Sequence, residues 1–235
     1  MSPARRAARR LLPAVAAVIA VAGAGLALLL ARGGTAGRSP AASASAGGAQ
    51  LPQVSLAGLR WSSYHGVELP STLAAGPRDT SGGLASGFAD TPLGALLAAL
   101  NIAVRANAQW GPGIYAPTIR DQVTGPDAAA LLSSCQADYG QASQAAHITG
   151  GAPLGNAYVS EEAFRWVAYT SGDATVDLVS AGPGSQGVTV RATTRVEVIW
   201  SGGDWRVAAP PGGDWGNAAA KLSSLSGYTV FPGQG

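Results

Sequence analysis

The chain has 235 residues, of which 12 % are charged and 47 % hydrophobic, with 33 glycines and 15 prolines. Its formal net charge of +2 hides two unlike regions: six arginines lie within the first 38 residues, and from Arg60 onward nine basic residues face thirteen acidic ones. The larger region therefore lacks the basic footprint of a nucleic-acid-binding protein, and Cys135, the single cysteine, excludes an internal disulfide.

Residues 1–10 contain Arg5, Arg6, Arg9 and Arg10, and Leu11 to Ala31 follows with no charged residue. A helix of about 20 apolar residues spans the roughly 30 Å hydrocarbon core of a bilayer. Basic flanks stay on the cytoplasmic side. The expectation is a cytoplasmic basic tail (1–10), a transmembrane helix (11–31) and a chain that continues outside the cell membrane. A cleaved signal peptide is the rival, but its apolar region runs only about 7–15 residues before an A-x-A site. Here the run ends at Arg32, and the best match, Ala44-Ser45-Ala46, lies well beyond it. Residues 32–58 are rich in Gly, Ala, Ser and Pro, which predicts a flexible linker. Residues 59–235 are then one extracytoplasmic domain.

Leu59 to Gly87 reads as a docking arm carrying Trp61, Tyr64, Val67 and Leu69. Asp90-Thr91-Pro92 starts a helix, with a capping side chain and a proline at the first helical position. Leu93, Leu96, Leu97, Leu100 and Val104 recur at helical spacing and define a buried face. This helix is expected to reach about Gln109 and to stop at Gly111-Pro112-Gly113. A short turn after Pro117 and a second helix from Pro126 to about Ala146 come next, the latter with a stripe of Leu131, Leu132, Cys135 and Tyr139. Cys135 on that stripe reads as a small buried apolar residue.

The pattern then changes to strands. Glu162 to Thr170 alternates, with Phe164, Trp166 and Ala168 on one face and Arg165, Val167 and Tyr169 on the other. Thr175 to Ala181, Val188 to Trp200 and Trp205 to Ala209 are strand-like, and Ser201 to Asp204 is a hairpin turn. Asn217 to Leu225 reads as a short helix and Tyr228 to Phe231 as a final apolar patch. Gly202-Gly203-Asp204-Trp205 recurs as Gly212-Gly213-Asp214-Trp215, which reads as two turns with docking tryptophans. Helices first and hairpin-linked strands second predict an α+β domain with helices packed on a curved antiparallel sheet.

No pattern here carries chemistry strongly. Gly182 to Gly187 matches G-x-G-x-x-G, but strand follows where the dinucleotide fingerprint needs a helix, so a hairpin loop is expected. Glu161 and Glu162 are adjacent and face opposite sides of a strand, so they do not form a working carboxylate pair. His65 and His147 have no partners at ligand spacing. The one candidate cavity joins Tyr169 and Asp177, where a buried carboxyl beside a phenol would do acid–base work; a solvent-facing Asp177 is the plainer alternative. No catalytic, cofactor-binding or metal-binding residue is assigned.

The phrases WSSYHGVELP, GFADTPLGALLAALNIAVRANAQWGPG, IRDQVTGP, EEAFRWVAYT and VIWSGGDWRVAAPPGGDW resemble a family of uncharacterised membrane proteins. These are encoded with the conjugal transfer genes of integrative and conjugative elements in high-GC Gram-positive bacteria. The layout is also similar to conjugation-channel scaffold domains, which join one transmembrane helix to a nuclear-transport-factor-like (cystatin-like) cone. The resemblance implies a non-enzymatic scaffold of a type IV secretion-like apparatus. Its expected partners are other channel membrane proteins and copies of itself, with no direct nucleic-acid binding by the outer domain. Trp205, Trp215, Tyr228 and Phe231 are the candidate interface. An accessory subunit of an envelope lipid transporter and a cone-fold enzyme or ligand binder are the alternatives.

Overall fold

The computed structural model describes residues 51–184 and 187–233. The expected basic tail, transmembrane helix and first part of the linker lie outside these residues. Among the described residues no helix is long and apolar enough to cross a membrane.

Packing against the domain core includes residues before the expected boundary at residue 59. Val54 and Leu56 already pack against the core, as does Leu59. Composition hid them, because a Ser- and Ala-rich setting reads as tether although apolar residues recur at every second or third position. The hairpin of β1 (Arg60–Tyr64) and β2 (Val67–Ser71) comes next. Its turn is His65-Gly66, with φ of 50° and 89°, the left-handed pair that a tight two-residue hairpin needs.

Helix α1 (Pro92–Arg105) is the centre of the fold. The Thr91 side chain accepts from the Gly94 amide at 3.1 Å, and Pro92 takes the first position. Leu96, Leu97, Leu100 and Val104 are buried as expected and Leu93 partly so, but Ala95, Ala98, Ala99 and Ala103 are buried too. The helix is enclosed nearly all round, because alanines on its other faces let neighbours approach closely. It ends at Arg105, before Gln109; Asn107 leaves the helix and caps a 3-10 turn, Ala108–Trp110, by accepting from the Gln109 amide.

Gly111-Pro112 proves to be a start as well as a stop. Gly111 adopts φ 81° and Pro112 opens α2 (Pro112–Gln122). Pro117 sits inside this helix; the carbonyl it strands belongs to Gly113, which is exposed and open to water. Strand β3 (Val123–Thr124) and helix α3 (Ala128–Ala145) come after it. Of the α3 stripe, Leu131 and Cys135 are buried, while Leu132 and Tyr139 pack only partly.

Strands β4 (Ser160–Tyr169), β5 (Asp173–Pro183), β6 (Thr189–Ser201) and β7 (Asp204–Ala208) form an antiparallel meander. Residues 217–225 are not a helix. A 3-10 turn, Trp215–Ala218, leads into β8 (Ala219–Leu222), which pairs with the free N-terminal half of β6. Tertiary pairing outweighs the helical preference of this Ala-rich stretch. Strand β9 (Thr229–Val230) then pairs with β4. The sheet order is β3-β7-β6-β5-β4-β9, with β3 parallel to β7. The chain between β8 and β9 therefore crosses one face of the sheet as a strap. The architecture is α+β, with helices against the opposite face.

Strand β4 carries register shifts at Glu161/Ala163 and at Trp166/Ala168. A bulge puts two residues opposite one and changes the phase of the residues beyond it. The expected alternation therefore fails beyond Trp166: Ala168 is exposed, and Tyr169 joins Trp166 at a ring distance of 5.7 Å.

The repeated Gly-Gly-Asp-Trp turns hold α1 at both ends. Trp205 Nε1 donates to the Ala89 carbonyl at 2.9 Å, just before the helix, and Trp215 Nε1 donates to the Ala106 carbonyl at 3.1 Å, just after it. Asp204 accepts from the Gly87 and Phe88 amides at 2.7 and 3.1 Å, and Asp214 accepts from Gly216 at 2.7 Å. Both turns use left-handed glycines, φ 66° and 85° in the first, 66° and 68° in the second. The second lies against α3, where a Cβ on Gly213 would enter the backbone of Ala130 and Leu131, whereas one on Gly203 would meet nothing within 4 Å. Gly203→Ala should cost about 1 kcal/mol of backbone strain. Gly213→Ala, which adds a steric clash, should cost about 3 kcal/mol or more. Urea unfolding of the two variants side by side checks this.

Candidate functional site

The two faces of β5 separate apolar from ionic chemistry. Ala174, Val176 and Leu178 belong to the main core; Val179 and Ala181 are buried outside it, on the strap side. Asp177 shares that side. Its strand neighbours are Arg165 on β4 and Arg195 on β6. Arg165 Nη2 donates to Oδ2 at 2.7 Å; Arg195 donates from Nε to Oδ1 at 2.8 Å and from Nη2 to Oδ2 at 3.2 Å. The Asp177 side chain is 5 % exposed, against 46 % and 29 % for the two arginines. The hydrogen bond to Asp177 holds the Arg195 pKa above its ordinary value, against the opposing effect of burial.

A second pair lies beside the first. Arg191 on β6 holds Glu162 through two bonds, Nη2 to Oε1 at 3.1 Å and Nε to Oε2. The strap closes over the cluster: the Tyr228 ring lies 4.6 Å from the Arg165 guanidinium carbon, and its hydroxyl meets Thr193 Oγ1 at 3.3 Å. These groups form a latch across β4, β5 and β6. Asp177→Asn should leave two arginines facing each other without a counter-charge. A buried partner lost costs about 3–5 kcal/mol; with both arginines partly in water, about 1–3 kcal/mol is expected here. Arg165→Met should cost under about 1 kcal/mol. Chemical denaturation of both variants in low and high salt tests the difference.

The bulge at the start of β4 sends Glu161 the other way. Glu161 is fully buried, and the Ser180 hydroxyl lies 3.1 Å from each of its carboxylate oxygens. Burial pushes the carboxyl up to about 8; the Ser180 bond opposes this and the Glu162 charge adds to it. The sequence correctly set the two glutamates on opposite sides, but gave no sign that one is wholly enclosed.

The Tyr169–Asp177 cavity is overturned. Tyr169 pairs with Ala174 and faces the core, while Asp177 faces the strap. The Trp166/Ala168 bulge is the cause. The interface candidates are corrected too. Trp205, Trp215 and Phe231 are 1 %, 3 % and 6 % exposed. Phe231 packs on Phe164 and Trp61 at ring distances of 5.2 and 5.6 Å. Only Tyr228 of the four reaches the surface, half-buried, and it lies on Arg165. The indole N–H of Trp205 and of Trp215 finds a carbonyl at an end of α1, which holds both rings inside. The large apolar side chains left exposed include Leu73 and Tyr158, with Val230 on β9.

His65 stacks on Trp110 at 5.3 Å, and His147 lies just beyond α3 with φ 57°. Among the described residues no group of three or more His, Cys, Asp or Glu could hold a metal ion. Gly182 and Pro183 end β5, the Gly184 amide donates to the Val188 carbonyl at 2.7 Å, and strand β6 starts at Thr189, where the dinucleotide fingerprint needs a helix.

One pocket has no counterpart in the sequence expectations. It has a volume of about 320 Å³ and lies between α3 and the second Gly-Gly-Asp-Trp turn, with Asn107, Cys135, Asp138, Asp214 and Trp215 among its walls. Its residues are spread from 107 to 215, and only the repeated turn marks its position in the sequence. Burial, with the Asp138 charge, pushes the Cys135 thiol up to about 12, so it is neutral.

No curated protein and no solved structure matches the chain. A family model described as a domain of unknown function, DUF8175, matches residues 31–230, most of the sequence, and the chain belongs to that family.

Proposed function

We propose that this protein is a membrane-anchored scaffold component of a conjugative, type IV secretion-like DNA-transfer apparatus, acting through protein–protein contacts. The observation that carries the reading is where the ionisable groups converge. Asp177 with Arg165 and Arg195, and Glu162 with Arg191, tie three strands and the strap together. This chemistry serves rigidity. The uncharged run 11–31 behind four arginines supports a single-pass anchor with the domain outside the cell membrane. Helices before a bulged antiparallel meander are in keeping with the nuclear-transport-factor-like cone of channel scaffolds, a likeness of fold and not by itself of function. The contact surface is not the tryptophans, which are spent on the core. It is drawn instead from exposed apolar side chains such as Leu73, Tyr158 and Val230.

The test is a crosslinked pull-down of the tagged full-length protein from native membranes, read by mass spectrometry. Recovery of a transfer ATPase and other transfer-gene membrane proteins is expected, reduced by charged substitutions at Leu73 or Val230. Recovery of lipid-transport subunits would favour the transporter-accessory reading, and recovery of the bait alone would remove the scaffold.

A further inference from the structure

We propose that the pocket between α3 and the second Gly-Gly-Asp-Trp turn binds a small organic cation: a primary ammonium on an apolar stem with a carbonyl oxygen nearby. The proposal does not depend on the scaffold reading. The pocket's volume of about 320 Å³ sits at the lower end of ligand sites, roughly 300–1,000 Å³.

Each part of the ligand answers a part of the wall. Asp138 and Asp214 both line the pocket. Asp214 spends Oδ1 on the Gly216 amide; among the described residues no donor is bonded to Asp138 or to Asp214 Oδ2. Burial and the Asp214 charge together hold the Asp138 pKa above its ordinary value. Two like charges without a cation between them attract one.

Asn107 is the independent observation. It is 6 % exposed and lines the same pocket. Its Oδ1 is taken by the Gln109 amide, which fixes the amide's orientation. Nδ2 then makes no hydrogen bond among the described residues and is not sealed from solvent, so it is a donor that a ligand in the pocket can take over from water. A carbonyl on the ligand supplies it. The remaining wall is apolar. Trp215 has committed its indole N–H to Ala106 and offers only carbon surface, alongside Leu131 and Ala108. That surface suits a methylene stem, and the neutral Cys135 thiol adds no charge.

The probe is N-acetyl-lysine methylamide, with its norleucine counterpart as the neutral control. Both are titrated into isotopically labelled full-length protein in detergent micelles and followed by amide NMR. The expected result is saturable shifts of the Asn107 side-chain amide and the Trp215 indole with the lysine probe only. Asp138→Asn, at the solvent-facing rim of α3, should weaken binding about tenfold, as loss of a charge-assisted contact does. Asp214→Asn, which keeps an oxygen for the Gly216 amide, should do the same. Equal shifts with the norleucine compound would overturn the proposal, as would the absence of saturable shifts. Binding unchanged in both variants would also overturn it.

Discussion

Trp205→Ala is expected to lower stability by about 3–5 kcal/mol, the range for truncating a buried aromatic side chain. Three effects add. The indole is 1 % exposed and packs edge-on against Trp200 at 5.4 Å. Its removal leaves a cavity between β7 and the entry to α1. The Ala89 carbonyl also loses one of its two donors, keeping the Thr91 amide at 2.8 Å, and one hydrogen bond lost in this way costs about 0.5–1.5 kcal/mol. Trp205→Phe separates these effects by keeping most of the ring and losing the N–H, for an expected loss of about 1–2 kcal/mol. Trp215→Phe should cost the same through Ala106. The two anchors lie at opposite ends of a 14-residue helix, about 21 Å long. Their losses should therefore add to within about 0.5 kcal/mol. Hydrogen exchange would locate each: faster exchange at residues 94–96 for Trp205→Phe, and at 106–110 for Trp215→Phe. A strongly non-additive double variant would mean that the turns act through a shared element and not as separate anchors.

The elements legible in the sequence were those fixed by local chemistry. Thr91 and Pro92 announce the start of α1, and β-branched runs announce β5 and β6. The repeated turn was legible as two docking tryptophans, though not as two ends of one helix, because nothing local says which carbonyl an indole will find. Features set by pairing partners stayed hidden. Residues 219–222 are strand because half of β6 lacks a neighbour. Tyr169 faces the core because a bulge consumes one residue after Trp166, and a one-residue slip exchanges the two faces of a strand. That slip dissolved the Tyr169–Asp177 cavity. The same logic hid the pocket: Asn107, Asp138 and Asp214 come from three elements that only packing brings together.

Glu161→Gln is expected to raise stability at alkaline pH and to flatten its pH dependence. The Glu161 carboxyl has an ordinary pKa of 4.5, and burial lifts it to about 8 in the folded state. The folded protein thus binds a proton that the unfolded chain releases. The stability tied to this proton is fully present below about pH 4.5 and is lost progressively as pH rises to about 8, where the folded form ionises too. The slope reaches about 1.4 kcal/mol per pH unit while one proton separates the states. The full change is on the order of 3–5 kcal/mol, the scale of enclosing a carboxylate with incomplete compensation. Glutamine fills the same space and stays neutral, so it should match the wild type below about pH 4.5 and exceed it clearly at pH 8.5. Glu162 and Arg191 remain paired on the other face and are present in both proteins, so they cancel in the comparison. Unfolding free energies from pH 5 to 9 decide the matter. Parallel curves for the two proteins would mean that Glu161 stays ionised in the fold, with the Ser180 hydroxyl and its other contacts sufficient to hold the charge.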